Sequence, residues 1–310
     1  MSHRENRLLV LVVLSLILGS PYLLMLPPGT GEDIPVVAYI ENAEPEIIAV
    51  DILDSSMSPT SCVDPGSPYF VDIQARDNNT LADIASLEAV FYSPQSSFGD
   101  VDDEQHHYTF TWNTSGFHNP SGVGSLGSGC YGPNDPTLGT GTWRFEIELT
   151  KKALESTSWT LLVQIRDEAN LSELPTTFEV TGFISLTIDA SEITFSGSPS
   201  ETVQSDQNPI LLNYSTNQEG GISCYCTDFV GATDPNLVIP ASNFMIDDDP
   251  DPFEDVETGR AVLTLSQSRQ DICDPLEPGS GTRNAYVFIT IPEPFLDQDY
   301  IGTFAFEMHS

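Results

Sequence analysis

Short runs of β-branched and aromatic residues, alternating with polar ones at a period of two, recur from about residue 46 to the C-terminus. Tyr69, Val71, Ile73 and Ala75 alternate with Phe70, Asp72 and Gln74; Trp143, Phe145, Ile147 and Leu149 alternate with Arg144, Glu146 and Glu148. A strand sends successive side chains to opposite faces, so this pattern builds one apolar and one wetted face, as in antiparallel sheets packed on one side. Ile47–Leu53, Tyr69–Ala75, Leu87–Tyr92, Tyr108–Trp112, Trp143–Leu149, Trp159–Arg166 and Thr177–Val180 predict one sandwich over 46–182. Ile184–Ile188, Glu192–Phe195, Ile210–Tyr214, Gly221–Cys226, Ala261–Leu265, Ala285–Ile291 and Tyr300–Met308 predict a second over 183–310, the last two runs as a hairpin around Pro292–Asp299. Helical turns fit Leu81–Ile84 and Lys151–Glu155, and no long helix is expected there. The fold class is therefore all-β: two tandem antiparallel β-sandwich domains.

The N-terminus differs. His3, Arg4 and Arg7 precede an apolar stretch, Leu8–Leu26, broken by Ser15 and Gly19-Ser20-Pro21. Basic residues before an apolar run describe a secretory signal peptide or a membrane anchor, here an N-terminal hydrophobic helix over 1–26. Its 11-residue core, Leu8–Leu18, suits a signal. The whole stretch of 19 residues reaches the ~30 Å a spanning helix needs, and a retained anchor is slightly favoured. Residues 27–45, with four prolines, read as a linker. Either reading puts the remainder outside the cytoplasm, extracellular or at the cell surface, with the membrane as a partner through this segment.

The chain carries 46 Asp+Glu against 10 Lys+Arg, a formal charge of −36. That surface has no basic face for phosphates, so no nucleic-acid partner is expected. The acids are spread over both halves, and such self-repulsion calls for strong salt screening or bound cations. Four N-x-S/T sequons, at Asn78, Asn113, Asn170 and Asn213, agree with export and mark candidate glycosylation sites. Five cysteines show no zinc-type C-x-x-C spacing. Cys62 and Cys130, the two in the first half, form a candidate disulfide. Cys273 is expected to take one of Cys224 and Cys226, leaving the other thiol free or paired between chains.

Clustered carboxylates suit Ca²⁺, which wants six to eight oxygens. Asp247, Asp249 and Asp251 lie in a run with seven acids in eleven residues, though Pro252 and Thr258 depart from an EF-hand; a solvated acidic loop is the simpler reading. His106, His107 and His118 beside Asp102, Asp103 and Glu104 read as an exposed loop-to-strand junction, because adjacent strand residues point apart. Ser125, in Gly122-Val123-Gly124-Ser125-Leu126-Gly127, fails the nucleophile-elbow pattern, and neither a P-loop nor an H-E-x-x-H occurs. Trp112, Trp143 and Trp159 fit core packing better than sugar stacking.

The stretches Val71-Asp72-Ile73-Gln74-Ala75-Arg76-Asp77-Asn78-Asn79-Thr80-Leu81-Ala82-Asp83-Ile84 and Trp159–Asn170, which closes on Asp167-Glu168-Ala169-Asn170, resemble immunoglobulin-like and cadherin-like β-sandwiches of prokaryotic, archaeal-type surface proteins. The glycine usual at the closing strand end is absent. The resemblance implies a cadherin-like Ca²⁺ corner at Asp77, Asn79 and Asp83. Together these features describe a non-enzymatic envelope protein with a structural or adhesive role, whose partners are other copies of itself, envelope proteins or glycans. The alternative is a carbohydrate-binding or hydrolase accessory module.

Overall fold

The computed structural model describes residues 42–248, 250, 262–273, 275–293 and 297–310; the signal or anchor segment, most of the linker, Asp249 and Asp251 lie outside them. In the first sandwich one sheet has the order β1 (Glu46–Leu53), β3 (Pro68–Arg76), β8 (Thr140–Glu148), β7 (Ser125–Leu126). The facing sheet has the order β2 (Cys62–Val63), β10 (Leu171–Val180), β9 (Ser156–Arg166), β4 (Ser86–Tyr92), β5 (His107–Asn113), β6 (Gly116–His118). All of its ladders are antiparallel except the two-residue pairing of β2 with β10.

The period-two residues meet between these sheets. Val71, Ile73 and Ala75 of β3 and Trp143 and Phe145 of β8 are fully buried against Leu87, Phe91, Phe110, Trp159 and Val163. The opposite face of β3 and β8 is polar, where Arg144 makes a two-pronged ion pair with Asp72, Nε to Oδ1 at 2.5 Å, and lies over the Phe70 and Tyr131 rings. Leu81–Asp83 is a 3₁₀ turn capped by the Thr80 hydroxyl, as the sequence suggests. Lys151–Glu155 forms a turn and not a helix.

The second sandwich is built from shorter pieces. β11 (Ile184–Ile188), β13 (Ile210–Thr216), β20 (Gly279–Thr290), β17 (Phe244–Asp247) and β18 (Leu263–Thr264) form one sheet, with β12 (Thr202–Gln204) also paired to β20. β19 (Gln270–Asp271), β14 (Gly221–Cys226) and β22 (Phe304–His309) form another; β16 (Val238–Ile239), β15 (Phe229–Gly231) and β21 (Tyr300–Ile301) form a third.

Two expectations are corrected. Glu192–Phe195 is extended chain without a ladder, although Ile193 and Phe195 pack on the core. The final two runs are not a hairpin: β21 pairs with β15 and β22 with β14, while β20 pairs with β12, β13 and β17. The break falls at Gly302, where a Cβ would stand 1.9 Å from the Phe229 ring, so only glycine lets the chain pass and change sheets.

The sandwiches belong to one compact unit, Asn42–Ser310. Asn217, fully buried, ties them. Its Nδ2 donates to the carbonyls of Ala153 and Thr181, each at 2.8 Å, and its Oδ1 accepts from the Phe183 N–H at 2.6 Å. Its backbone carbonyl accepts from Glu155 and its N–H donates to Phe183. Gln105 adds a bond to the Pro278 carbonyl.

Candidate functional site

Three carboxylates gather where β3 and β9 run into their turns. Asp77 and Asp167 are each 1% exposed. Asp167 is satisfied: its Oδ1 caps the Ala169 and Asn170 N–H groups, and its Oδ2 accepts from Asn42 and Asn170. These bonds outweigh the cost of burial and hold its carboxyl below the usual range. Asp77 is half satisfied, since Oδ1 accepts from Asn79 N–H while buried Oδ2 has no partner. Asp83 Oδ1 is also buried without a partner, and burial, then the charges of Asp77, Asp167 and Glu168, raise its carboxyl. Asn79 turns away, its Oδ1 accepting from Ala43 N–H. The expected corner thus contains Asp77 and Asp83, with Asp167 in the place assigned to Asn79.

Among the described residues, no three His, Cys, Asp or Glu side chains form a group able to hold a metal ion. A cation at the two orphaned oxygens would have to complete its shell with backbone carbonyls and water. Asp247, the one described member of the other expected set, ends β17, and its Oδ1 accepts from Asp248 N–H.

A second polar centre was invisible in the sequence. His107 is 1% exposed, not at a wetted junction: the chain between β4 and β5 folds back so that Nδ1 meets Asp102 Oδ1 at 2.7 Å. Thr109 Oγ1 donates to the same oxygen, and the ring lies parallel to Tyr92. Burial penalises the Asp102 charge, yet hydroxyls of Ser121 and Thr109 and the imidazole hold its carboxyl below the usual range. This geometry sets the tautomer, with the proton on Nδ1; Nε2 is buried without a partner. Glu88, half-buried nearby, is pushed upward by desolvation and by Asp102. His106 bonds to Ser93, and His118 to Ser115 and Asn113, so the three histidines do not converge.

Cys62, Cys130, Cys224 and Cys226 are thiols. Cys62 is exposed on β2, and Cys130 lies along β8 in the other sheet, its sulfur against the Glu146 backbone. The register of β14 with β19 places Ile272 opposite Ile222, and Cys273 follows beyond it on the side away from Cys226. Cys226 is four residues from Ile222 along β14, roughly 13 Å at ~3.3 Å per residue, well beyond the reach of a disulfide. The Cys226–Cys273 pairing is therefore corrected. Burial pushes the thiols of Cys224 and Cys226 up to about 12.

Asn78 and Asn213 are exposed, while Asn113 is half-buried and Asn170 Nδ2 is engaged by Asp167. Trp143 and Trp159 are fully buried, and Trp112 stands edge-on to Trp143 at 5.4 Å. In the second sandwich a cavity of about 1150 Å³ runs between residues 188–199 and 297–306, over Phe195, Phe229, Ile289 and Phe304, with Glu192, Asp297 and Asp299 also on its walls. Beside it Val238, Val230 and Ile301, 38%, 38% and 68% exposed, are direct cross-strand neighbours on β16, β15 and β21. They form one uncovered apolar row.

Among the described residues, no helix is long and apolar enough to cross a membrane. No protein-family profile and no curated protein matches the chain. Among solved structures, the C-terminal domain of the AgI/II polypeptide BspA from Streptococcus agalactiae aligns over 84% of this chain and 99% of its own, at 12% identity and a TM-score of 0.24. The chain itself has an all-β sandwich architecture whose sheets are antiparallel but for the short pairing of β2 with β10.

Proposed function

We propose that this chain is a non-enzymatic component of the cell envelope, exported and held at the surface, that works by contact in a structural or adhesive role. The observation that carries the reading is the uncovered row Val238–Val230–Ile301, because a chain this acidic keeps a cross-strand apolar row in water only at a cost that a partner surface removes. The polar centres fit such a role, since Asp102–His107 and Asp167 bond to the loops around them. The placement of the tryptophans argues against the alternative accessory module, since Trp143 and Trp159 are fully buried and Trp112 stands edge-on to Trp143, so these three rings offer a sugar no flat platform. Ca²⁺ at Asp77 and Asp83 would neutralise two crowded, orphaned carboxylate oxygens and stiffen the start of the first sandwich.

Two measurements test the reading together. Antibody labelling of intact cells should reach the chain, and a Val230→Glu/Ile301→Glu variant should reach the surface yet lose cell-to-cell or cell-to-substrate attachment. Recovery of the wild-type chain in the cytosol, or unchanged attachment by that variant, overturns it.

A further inference from the structure

The exposed strand edges of the molecule are not protected alike. β1 carries Asp51 and a bulge between Ile47 and Ala49, and the part of β10 beyond its short pairing with β2 carries Pro175, which offers no N–H, together with Glu173. Bulges, prolines and charges are the devices that stop an edge from accepting another strand. β11 has none of them. Its sequence is Ile184-Ser185-Leu186-Thr187-Ile188, and among the described residues it pairs with β13 alone. Ile184 and Ile188 are 38% and 39% exposed.

The ladder shows which backbone groups are free. Asp189 N–H donates to the Leu211 carbonyl, and Asn217 N–H donates to the Phe183 carbonyl. In an antiparallel pair the bonding residues alternate, so 183, 185, 187 and 189 spend their backbone groups on β13. The N–H and C=O of Ile184, Leu186 and Ile188 point outward.

We infer that β11 is a self-association edge, which pairs antiparallel with β11 of a second copy about a two-fold axis at Leu186. The strand reads nearly the same in both directions. Centred on Leu186, the pairing sets Ile184 against Ile188, Ser185 against Thr187 and Leu186 against its own copy. All three outward-facing residues of each strand then fall in hydrogen-bonded pairs, closing six backbone bonds. The apolar side chains share one face, so Leu186, which packs on the core, and its isoleucine neighbours continue into the second copy as one ladder.

Charge selects the same arrangement. In a chain of net −36, β11 is uncharged, and the adjoining acid is Asp189. The pairing puts the two Asp189 residues at opposite ends of the ribbon, roughly 20 Å apart at ~3.4 Å per residue, beyond the Debye length of ~8 Å at physiological ionic strength. The remaining surface repels its copy, so association should tighten as salt rises.

This inference deepens the reading of a surface component that works by contact and takes its biological setting from it. Its test reads association in solution and can fail while surface labelling succeeds. Sedimentation equilibrium of the purified full-length chain, at about 0.15 M and about 1 M salt, should show a monomer–dimer equilibrium favoured by salt. Ile184→Glu/Ile188→Glu sets carboxylates opposite one another at both ends and should weaken it at least tenfold. Ile184→Lys/Ile188→Glu, which makes the same two positions complementary, should restore it. Both sites are exposed, and unchanged circular dichroism confirms folding. Hydrogen exchange of the wild type supplies a readout free of substitution: the amides of Ile184, Leu186 and Ile188 should gain protection on association, while those of Ser185 and Thr187 are protected throughout. A monomer under all conditions, equal association of all three proteins, or unprotected Ile184, Leu186 and Ile188 amides in the dimer overturns the assignment.

Discussion

The two sandwiches divide apolar side chains differently. In the first, long strands align, and Trp143, Trp159, Phe91, Phe110 and Phe145 are all below 2% exposure, locked by edge-on ring contacts such as Phe91–Phe110. In the second, three separate sheets among the described residues share the work, and Phe195, Tyr300, Phe304 and Phe306 are only partly covered. Phe244 alone among the ring cluster there is fully buried, touching Phe195, Phe229 and Phe304. Interior packing makes one half stable. The other half has its exposed apolar side chains on neighbouring strands, in the ribbon row Val238–Val230–Ile301 and on β11, whereas those of the first, such as Ile48, Met57, Val101 and Leu138, lie apart along the chain.

Substitution should expose that difference most sharply. Trp143→Ala in the first core should cost about 3–5 kcal/mol in denaturant unfolding, whereas Phe306→Ala, half-exposed on β22, should cost about 1–2 kcal/mol. Equal costs would erase the contrast. Next comes the tie between the halves. Asn217→Ala removes three side-chain bonds and strands a buried N–H and two carbonyls, a loss of about 2–4 kcal/mol. Calorimetry should then resolve two transitions, against a single one expected of the wild type. Asp102→Asn, which leaves the imidazole without its charged partner, should cost about 2 kcal/mol, read from the same denaturant curves.

Smaller effects sharpen the picture by pH and by reagent. The raised carboxyl of Asp83 means the fold penalises its charge, so its contribution to stability is lost as pH rises from the unfolded pKa through the higher folded one. Asp83→Asn should therefore raise Tm by a few degrees at pH 7 and by nothing below the carboxylate range. Asp167, held low, acts oppositely: its support is present above the unfolded pKa and disappears as acid titrates it. Added Ca²⁺ should raise Tm of the wild type, and Asp77→Asn/Asp83→Asn should cancel that rise. Last, alkylation at pH 8 followed by mass spectrometry should label exposed Cys62 and spare Cys224 and Cys226, whose thiols stay protonated.

Legibility followed the same division. Where strands are long and one-sided, as at Tyr69–Ala75 and Trp143–Leu149, period two alone gives the element and its inward face. The Leu81 turn and the gathering of Asp77 with Asp83 were also readable, because both are set within a few residues. What failed depended on distant chain. His107 looked exposed because nothing local says that the segment carrying Asp102 folds back over it. Asp167 joins the acidic corner from ninety residues beyond Asp77. The supposed final hairpin ignored Phe229, whose ring occupies the space beside Gly302. The Cys226–Cys273 pairing was plausible by elimination and undone by register.

The buried amide at Asn217 has one more effect, on mechanics. Gly182, at the crossing from one half to the next, has the backbone freedom of a hinge, but Thr181 before it and Phe183 after it are both fastened to the same side chain. A pull on the molecule is therefore passed straight through the crossing and not absorbed by swinging. Under tension the two halves are therefore expected to move as one, with the crossing pinned on both sides by a single amide.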